Sequence, residues 1–296
     1  MLGTASAMPI ADRNQSAQAL QVHGRLFLMD AGEGVQGQMV RYHVSMAKLE
    51  AIFISHVHGD HCFGLFGLFS TLGMGGRTAP LHLYGPGNLH PFLRFFLSYN
   101  EWLPFEIVFH QVNTRFPEVV FETKSLSVTA FPLMHGIETY GYIFREKEPL
   151  WNIRKESIEQ YGLTLTEIGT LKRGEDVVRA DGTVISHLET AYKPYVPRSY
   201  AYVSDTAVFP GEAEVLEGVT VIYHETTFLQ EHEEKAAARF HSTTHQAAQV
   251  ALDAGASKLI IGHYSSRNTD HRLYEAECRE VFPESYAASD GDVFEI

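Results

Sequence analysis

Between positions 56 and 61 the chain sets His56, His58, Asp60 and His61, four metal-ligand side chains within six residues. The segment before them, 51–55, is apolar and β-branched enough to read as a buried strand. After them Leu65, Leu68, Phe69 and Leu72 recur at the spacing of an amphipathic helix. The cluster therefore sits on a strand-to-helix turn. His56 and His58, two apart on extended backbone, point the same way and can grip one ion. Asp60 and His61 fall near the helix N-terminus, where unpaired backbone N–H groups favour a carboxylate. Imidazole and carboxylate together suit zinc, or manganese where oxygen ligands dominate.

A centre holding two ions needs more ligands than this loop supplies. His135 follows the alternating run 126–133, Asp205 ends the strand-like run 200–204, and His263 ends 258–262. Side chains just past the carboxyl ends of several strands converge on one rim in layered α/β proteins. Singly, these three read as a turn histidine, a strand-end aspartate and a surface histidine. Jointly they complete two coordination shells.

Sixteen histidines make imidazole the place to look for chemistry, whereas Cys62 and Cys278, the only cysteines, exclude a disulfide framework and a thiolate zinc site. No apolar run approaches the roughly 20 residues of a membrane span. The N-terminus has neither the basic start nor the apolar stretch of a secretory signal, so a cytoplasmic protein is expected. A net charge of −13 argues against nucleic-acid binding by the surface as a whole. Residues 145–198 nevertheless carry nine basic and nine acidic side chains, so the entire acidic excess lies outside that segment.

Strand-like runs occur at 25–29, 51–55, 81–84, 106–109, 126–131, 140–144, 200–204, 219–223, 258–261 and 292–296. Residues 242–254 read as a helix with Ser242 or Thr243 at its start and Gly255 just past its end. This α/β (α+β) mixture predicts two sheets flanked by helices, in a single domain over 1–296. The stretch 145–198 breaks the rhythm: it is charged, weakly periodic and punctuated by Pro149, Pro194, Pro197 and the Asp181-Gly182 turn. It reads as an insertion projecting from the core.

The order of motifs resembles the ribonuclease Z family of the metallo-β-lactamase superfamily. The matching segments are Leu2-Gly3-Thr4 with Pro9 and Arg13-Asn14, Asp30-Ala31-Gly32-Glu33-Gly34, the stretch 55–67, His135-Gly136-Ile137, Leu171-Lys172-Arg173-Gly174-Glu175, Ser204-Asp205-Thr206, His224-Glu225-Thr226-Thr227-Phe228, His241-Ser242-Thr243 and the run 262–267. The histidine loop marks the superfamily, and the His-Glu-x-Thr-Phe and His-Ser-Thr elements mark this nuclease. The resemblance implies a four-layer αββα sandwich with a protruding arm. It also implies a zinc-dependent, homodimeric endoribonuclease that removes the 3′ trailer from precursor tRNA and leaves a 3′-hydroxyl on the tRNA and a 5′-phosphate on the trailer.

By the same resemblance His56, His58 and His135 hold one of two Zn2+ per subunit, with Mn2+ the alternative. Asp60, His61 and His263 hold the other, and Asp205 bridges. Asp60 also orients the attacking water and takes its proton, while His241, kept charged by Glu225, protonates the departing 3′-oxygen. From the residues alone His241 reads equally as the neighbour of a helix cap, and Glu225 as a polar strand end. The arm, with Arg154, Lys155, Lys172 and Arg173, would grip the tRNA elbow for the partner subunit's site. It has Gly162-Leu163-Thr164-Leu165 where relatives carry Gly-Pro. The chain also opens at Leu2-Gly3-Thr4, where relatives have several strand residues first, and has Tyr264 where phenylalanine is frequent. Two other readings stand beside this one. One is a dinuclear metal phosphodiesterase acting on small phosphodiesters or other RNAs, and the other is an RNA- or protein-binding module with a degenerate site.

Overall fold

Parallel strands covered on both faces need apolar side chains pointing both ways, and runs such as Leu26-Phe27-Leu28-Met29 and Ile52-Phe53-Ile54 supply them. A computed structural model describes residues 1–99, 102–268 and 270–296. These runs lie there in a five-stranded sheet of β1 (Gln18–Val22), β2 (Arg25–Met29), β3 (Leu49–Phe53), β4 (Leu81–Pro86) and β5 (Ile107–Val112), in that spatial order. β1 and β2 form an antiparallel hairpin, and β2 to β5 run parallel.

The chain continues through β6 (Glu118–Glu122), β7 (Leu126–Pro132) and β8 (Tyr140–Glu146). Thr123–Leu126 and Arg145–Arg198 form a separate compact unit. Its short strands are β9 (Asn152–Ile153), β10 (Val177–Val178), β11 (Val184–Ile185) and β12 (Ala191–Tyr192). Back in the main unit, β13 (Ser199–Val203), β14 (Val221–Glu225), β15 (Lys258–Gly262) and β16 (Ser285–Ala287) complete a seven-stranded sheet ordered β16-β15-β14-β13-β8-β7-β6. β13 to β16 are parallel.

The two sheets meet through aromatic rings. Phe53 lies 5.2 Å from both Tyr142 and Phe144 and 4.8 Å from Tyr84, and Phe27 lies 5.5 Å from Phe121, mostly tilted or edge-on as the ring quadrupoles prefer. On its outer face the first sheet packs Leu28, Ile52, Ile54 and Leu83 with Val35, Leu65, Leu68 and Phe69 of the helices Val35–Arg41 and Gly64–Met74. The outer face of the second sheet packs Val203, Ile222 and Ile261 with Ala248 and Tyr274 of the helices Thr244–Asp253 and His271–Val281. The main unit is therefore the expected αββα sandwich. Among the described residues no helix is long and apolar enough to cross a membrane.

Two expectations need correction. Residues 292–296 form no strand: the edge beside β15 is taken by β16, and the terminal segment is tied instead by the Met1 ammonium donating to Asp292 O at 2.6 Å. Residues 145–198 are not weakly structured either. They contain the helices Lys155–Tyr161, closed by Gly162 at φ +55°, and Leu165–Lys172, opened by a Thr164–Glu167 capping box. Leu163, Leu171, Val177 and Ile185 give this unit its own small core. Helices of seven and eight residues barely span two turns, too short for apolar periodicity to declare them.

Candidate metal centre

Parallel strands deliver the polar side chains to one end of the main unit. His56 follows β3, Asp205 follows β13, Glu225 ends β14 and His263 follows β15. Glu225 is in register with Gly262, which sets β14 and β15 to release their chemistry side by side. Asp60 and His61 lie in the one-turn helix Gly59–Cys62.

His56, His58, His135 and Asp205 converge as one group, and Asp60, His61 and His263 as another. In the first, His56 Nε2 is 3.0 Å from His58 Nδ1, and His135 Nε2 is 3.4 Å from that same atom. In the second, His61 Nε2 lies 3.3 Å from His263 Nε2 and 3.3 Å from Asp60 Oδ2. Asp205 faces both. Its Oδ2 stands 3.7 Å from His56 Nε2 and its Oδ1 stands 3.2 Å from His263 Nε2. All seven side chains that the sequence singled out as ligands thus meet in space.

In His56, His61, His135 and His263 the other ring nitrogen is occupied, which orients the ring. Ser55 Oγ lies 2.9 Å from His56 Nδ1, Asp30 Oδ2 2.7 Å from His61 Nδ1, Phe240 O 3.0 Å from His135 Nδ1 and Thr227 Oγ1 2.8 Å from His263 Nδ1. Each arrangement leaves Nε2 turned toward the group. Asp205 Oδ1, buried, has no hydrogen-bond donor. A shared carboxylate with one oxygen free of any donor, ringed by oriented imidazole nitrogens, is what a divalent cation requires, so the residues present fit one.

The electrostatics agree. Burial works against charge on His61, yet Asp205, Asp60 and Asp30 around it raise its pKa well above the ordinary value. The same concentration of negative charge would hold a cation with His61 neutral. Burial pushes the Asp60 carboxyl up, but the neighbouring His61 and His263 outweigh it and keep Asp60 ionised. His56 is lowered by burial and then by the surrounding histidines, which suits a neutral ligand.

Beside these groups His241 Nδ1 is 2.8 Å from Glu225 Oε1. Glu225 is fully buried and also accepts from the backbone N–H of Thr206, Thr227 and Ser242. His241 lies near Asp205 and His263 as well, close enough to count as a further ligand. Two contributors escaped sequence reasoning. Asp30 accepts from Ser55 N, Ser55 Oγ, Tyr202 OH and His61, and beyond its place in the Asp30-Ala31-Gly32-Glu33-Gly34 motif it was only a carboxylate ending the apolar run Leu26-Phe27-Leu28-Met29. Thr227 carried no signal beyond its motif. Asp30 and His263 both take positive φ, +53° and +60°, a backbone cost that clusters at functional sites.

The four basic residues singled out in 145–198 lie in the second unit. Arg154 and Lys155 are exposed, with the Arg154 guanidinium 5.6 Å from the Tyr192 ring centre. Lys172 is half-buried, and Arg173 is already engaged with Glu175 at 3.1 Å and Gly169 O at 3.0 Å.

Residues 1–148 match the family model of Anti-Pycsar protein Apyc1. Over 294 residues the chain is 38% identical to the ribonuclease Z of Bacteroides fragilis strain YCH46, covering 98% of this chain and 96% of that protein. Among solved structures, human tRNase Z, short form (ELAC1), superposes with a TM-score of 0.71 at 24% identity, covering 100% of this chain and 97% of the other. The metallo-β-lactamase fold protein YhfI of Bacillus subtilis gives a TM-score of 0.70 at 18% identity, covering 99% and 97%.

Proposed function

The chain belongs to the ribonuclease Z family and, through residues 1–148, to that of Anti-Pycsar protein Apyc1; from this premise we propose that it is a zinc-dependent endoribonuclease that removes the 3′ trailer from precursor tRNA. It has the metallo-β-lactamase fold. The observation that carries the proposal is the shared position of Asp205 between two ligand groups, with the His241–Glu225 pair alongside.

In this reading His56, His58 and His135 would hold one cation, Asp60, His61 and His263 the other, and Asp205 both. When bound, such a pair polarises a phosphodiester and lowers the pKa of water. Asp60, ionised in its place, orients the attacking water and accepts its proton. Cleavage that leaves a 3′-hydroxyl on the tRNA needs a proton on the departing ribose 3′-oxygen. His241 supplies it. Glu225 holds His241 Nδ1, which leaves Nε2–H as the proton to be given. In this reading Glu225, which raises the His241 pKa to about 9, keeps a proton on His241 Nε2 in place of a lone pair for a metal, and so sets it apart from the seven ligands despite its nearness.

The second unit would grip the tRNA through exposed Arg154 and Lys155 and through Lys172. Arg173, committed to Glu175, contributes less. A homodimer in a reducing cytoplasm completes the proposal, supported by the family resemblance and by two free, buried cysteines.

The test is a precursor tRNA carrying a 3′ trailer, with products mapped at both ends, for the wild type, Asp60→Ala and His241→Ala. One cut after the discriminator nucleotide, lost in Asp60→Ala, is expected. A second reading, a dinuclear phosphodiesterase of small phosphodiesters or other RNAs, is favoured by one observation. Residues 1–148, which match a family not named as a ribonuclease, carry five of the seven ligands but neither Glu225 nor His241. Turnover of bis(p-nitrophenyl) phosphate without precursor cleavage would select that reading.

A further inference from the structure

The reaction above makes no use of Thr227, a buried residue just past β14 and two positions after Glu225. Its Oγ1 touches both members of the proton-delivery pair and one member, His263, of the second ligand group. It stands 2.7 Å from Glu225 Oε2, 2.8 Å from His263 Nδ1 and 3.2 Å from His241 Nδ1. The Thr227 backbone N–H bonds the same Glu225 oxygen at 2.7 Å, so the residue grips the carboxylate twice.

A hydroxyl has one proton and two lone pairs. Ionised Glu225 can only accept, so the Thr227 proton goes to Oε2. His263 must then donate its Nδ1–H to Oγ1, which fixes the tautomer in which His263 Nε2 keeps its lone pair. That nitrogen faces Asp205 Oδ1 at 3.2 Å and Asp60 Oδ2 at 3.5 Å. The remaining lone pair faces His241 Nδ1–H, whose main partner is Glu225 Oε1 at 2.8 Å.

We propose that Thr227 is a positioning residue that couples the second metal position to the proton donor. One hydroxyl presents His263 to the cation in its ligand tautomer and holds Glu225 where it can hold His241. The inference rests on the metal-dependent reading given above and names no new contact with RNA. Thr227→Val nearly keeps the volume and the backbone N–H bond to Glu225 but removes the hydroxyl's bonds, leaving a Glu225 lone pair and the His263 N–H unpaired in a buried site.

Two readouts separate this role from simple packing. Metal-free protein is titrated with Co2+ alone and followed by its visible absorption. Thr227→Val is expected to weaken one of the two equivalents by about 10- to 100-fold, the usual cost of losing a partner behind a ligand, and to leave the other unchanged. At saturating metal, kcat is then compared on precursor tRNA and on bis(p-nitrophenyl) phosphate, whose leaving group needs no proton. The variant is expected to lose about tenfold more on the RNA than on the activated ester. Thr227→Ser, which keeps the hydroxyl, is expected to restore both readouts. Co2+ binding like that of the wild type, equal losses on the two substrates, or a serine variant as impaired as the valine one would each overturn the proposal. Should the wild type fail to cut precursor tRNA, the substrate reading fails while the Co2+ titration still decides the role of Thr227.

Discussion

Glu225 Oε1 lies 2.8 Å from His241 Nδ1, and the two form an ion pair with the carboxylate fully buried. Burial alone would neutralise both. The glutamate instead carries His241 up to about 9, and the imidazolium carries Glu225 down to about 2. The pair thus favours a charged His241 at neutral pH.

We predict an alkaline limb in the pH profile of kcat on RNA. A donor must be protonated, so the rate falls as pH rises through the pKa of His241, at about 9 or below because cations in the adjacent groups oppose its charge. Glu225→Gln removes the group that raises this pKa, and the limb should move down by about one unit or more. A limb that stays in place in the variant contradicts the assignment.

Asp30 is the residue behind His61. Asp30→Asn keeps the shape but loses the carboxylate that meets His61 Nδ1 at 2.7 Å. Metal affinity is expected to drop about 10- to 100-fold, with activity recovering as metal is added in excess. Isothermal titration with Zn2+ checks this, and an unchanged affinity would show Asp30 to be only a structural hub.

The basic side chains of the second unit should differ among themselves. Charge reversal of Lys155 or Lys172 is expected to weaken precursor binding and flatten its salt dependence by about one phosphate contact each. Reversal of Arg173, already bonded to Glu175, should do less. Filter binding across a salt series measures the slopes. Deletion of 150–195 should abolish tight binding and spare turnover of bis(p-nitrophenyl) phosphate; a deletion that cuts precursor at the wild-type rate would remove the second unit from recognition.

Phe53 sits between the sheets with its ring 4.8 Å from Tyr84 and 5.2 Å from Tyr142. Phe53→Ala is expected to cost about 3–5 kcal/mol, read from the denaturant midpoint at constant slope. A loss under about 1 kcal/mol would mean that this layer collapses to fill the space.

Local chemistry explains what could be read beforehand. The candidate ligands at 56, 58, 60 and 61 lie within six residues, and His135, Asp205 and His263 each end an apolar run, so pattern alone pointed to them. The helix 242–254 announced itself through Thr243, which caps it with Gln246, and Gly255, which follows it at φ +67°. Asp30 and Thr227 stood in matching motifs, but their roles were silent because their partners, His61 and His263, lie 31 and 36 residues away and no spacing rule links them. Residues 292–296 misled because a sequence with strand-like residues cannot say which segment will occupy a sheet edge, and Ser285–Ala287 reached it first. The second unit misled for a related reason: its helices are declared by caps at Thr164 and Gly162 rather than by a long apolar stripe.

The metal content of the purified, metal-replete chain tests the central claim most directly. Elemental analysis should find two divalent ions per chain in the wild type and fewer in Asp205→Asn, which keeps one oxygen and cannot serve both groups. A wild type that retains well under one ion per chain after metal-replete refolding would contradict the paired-cation centre.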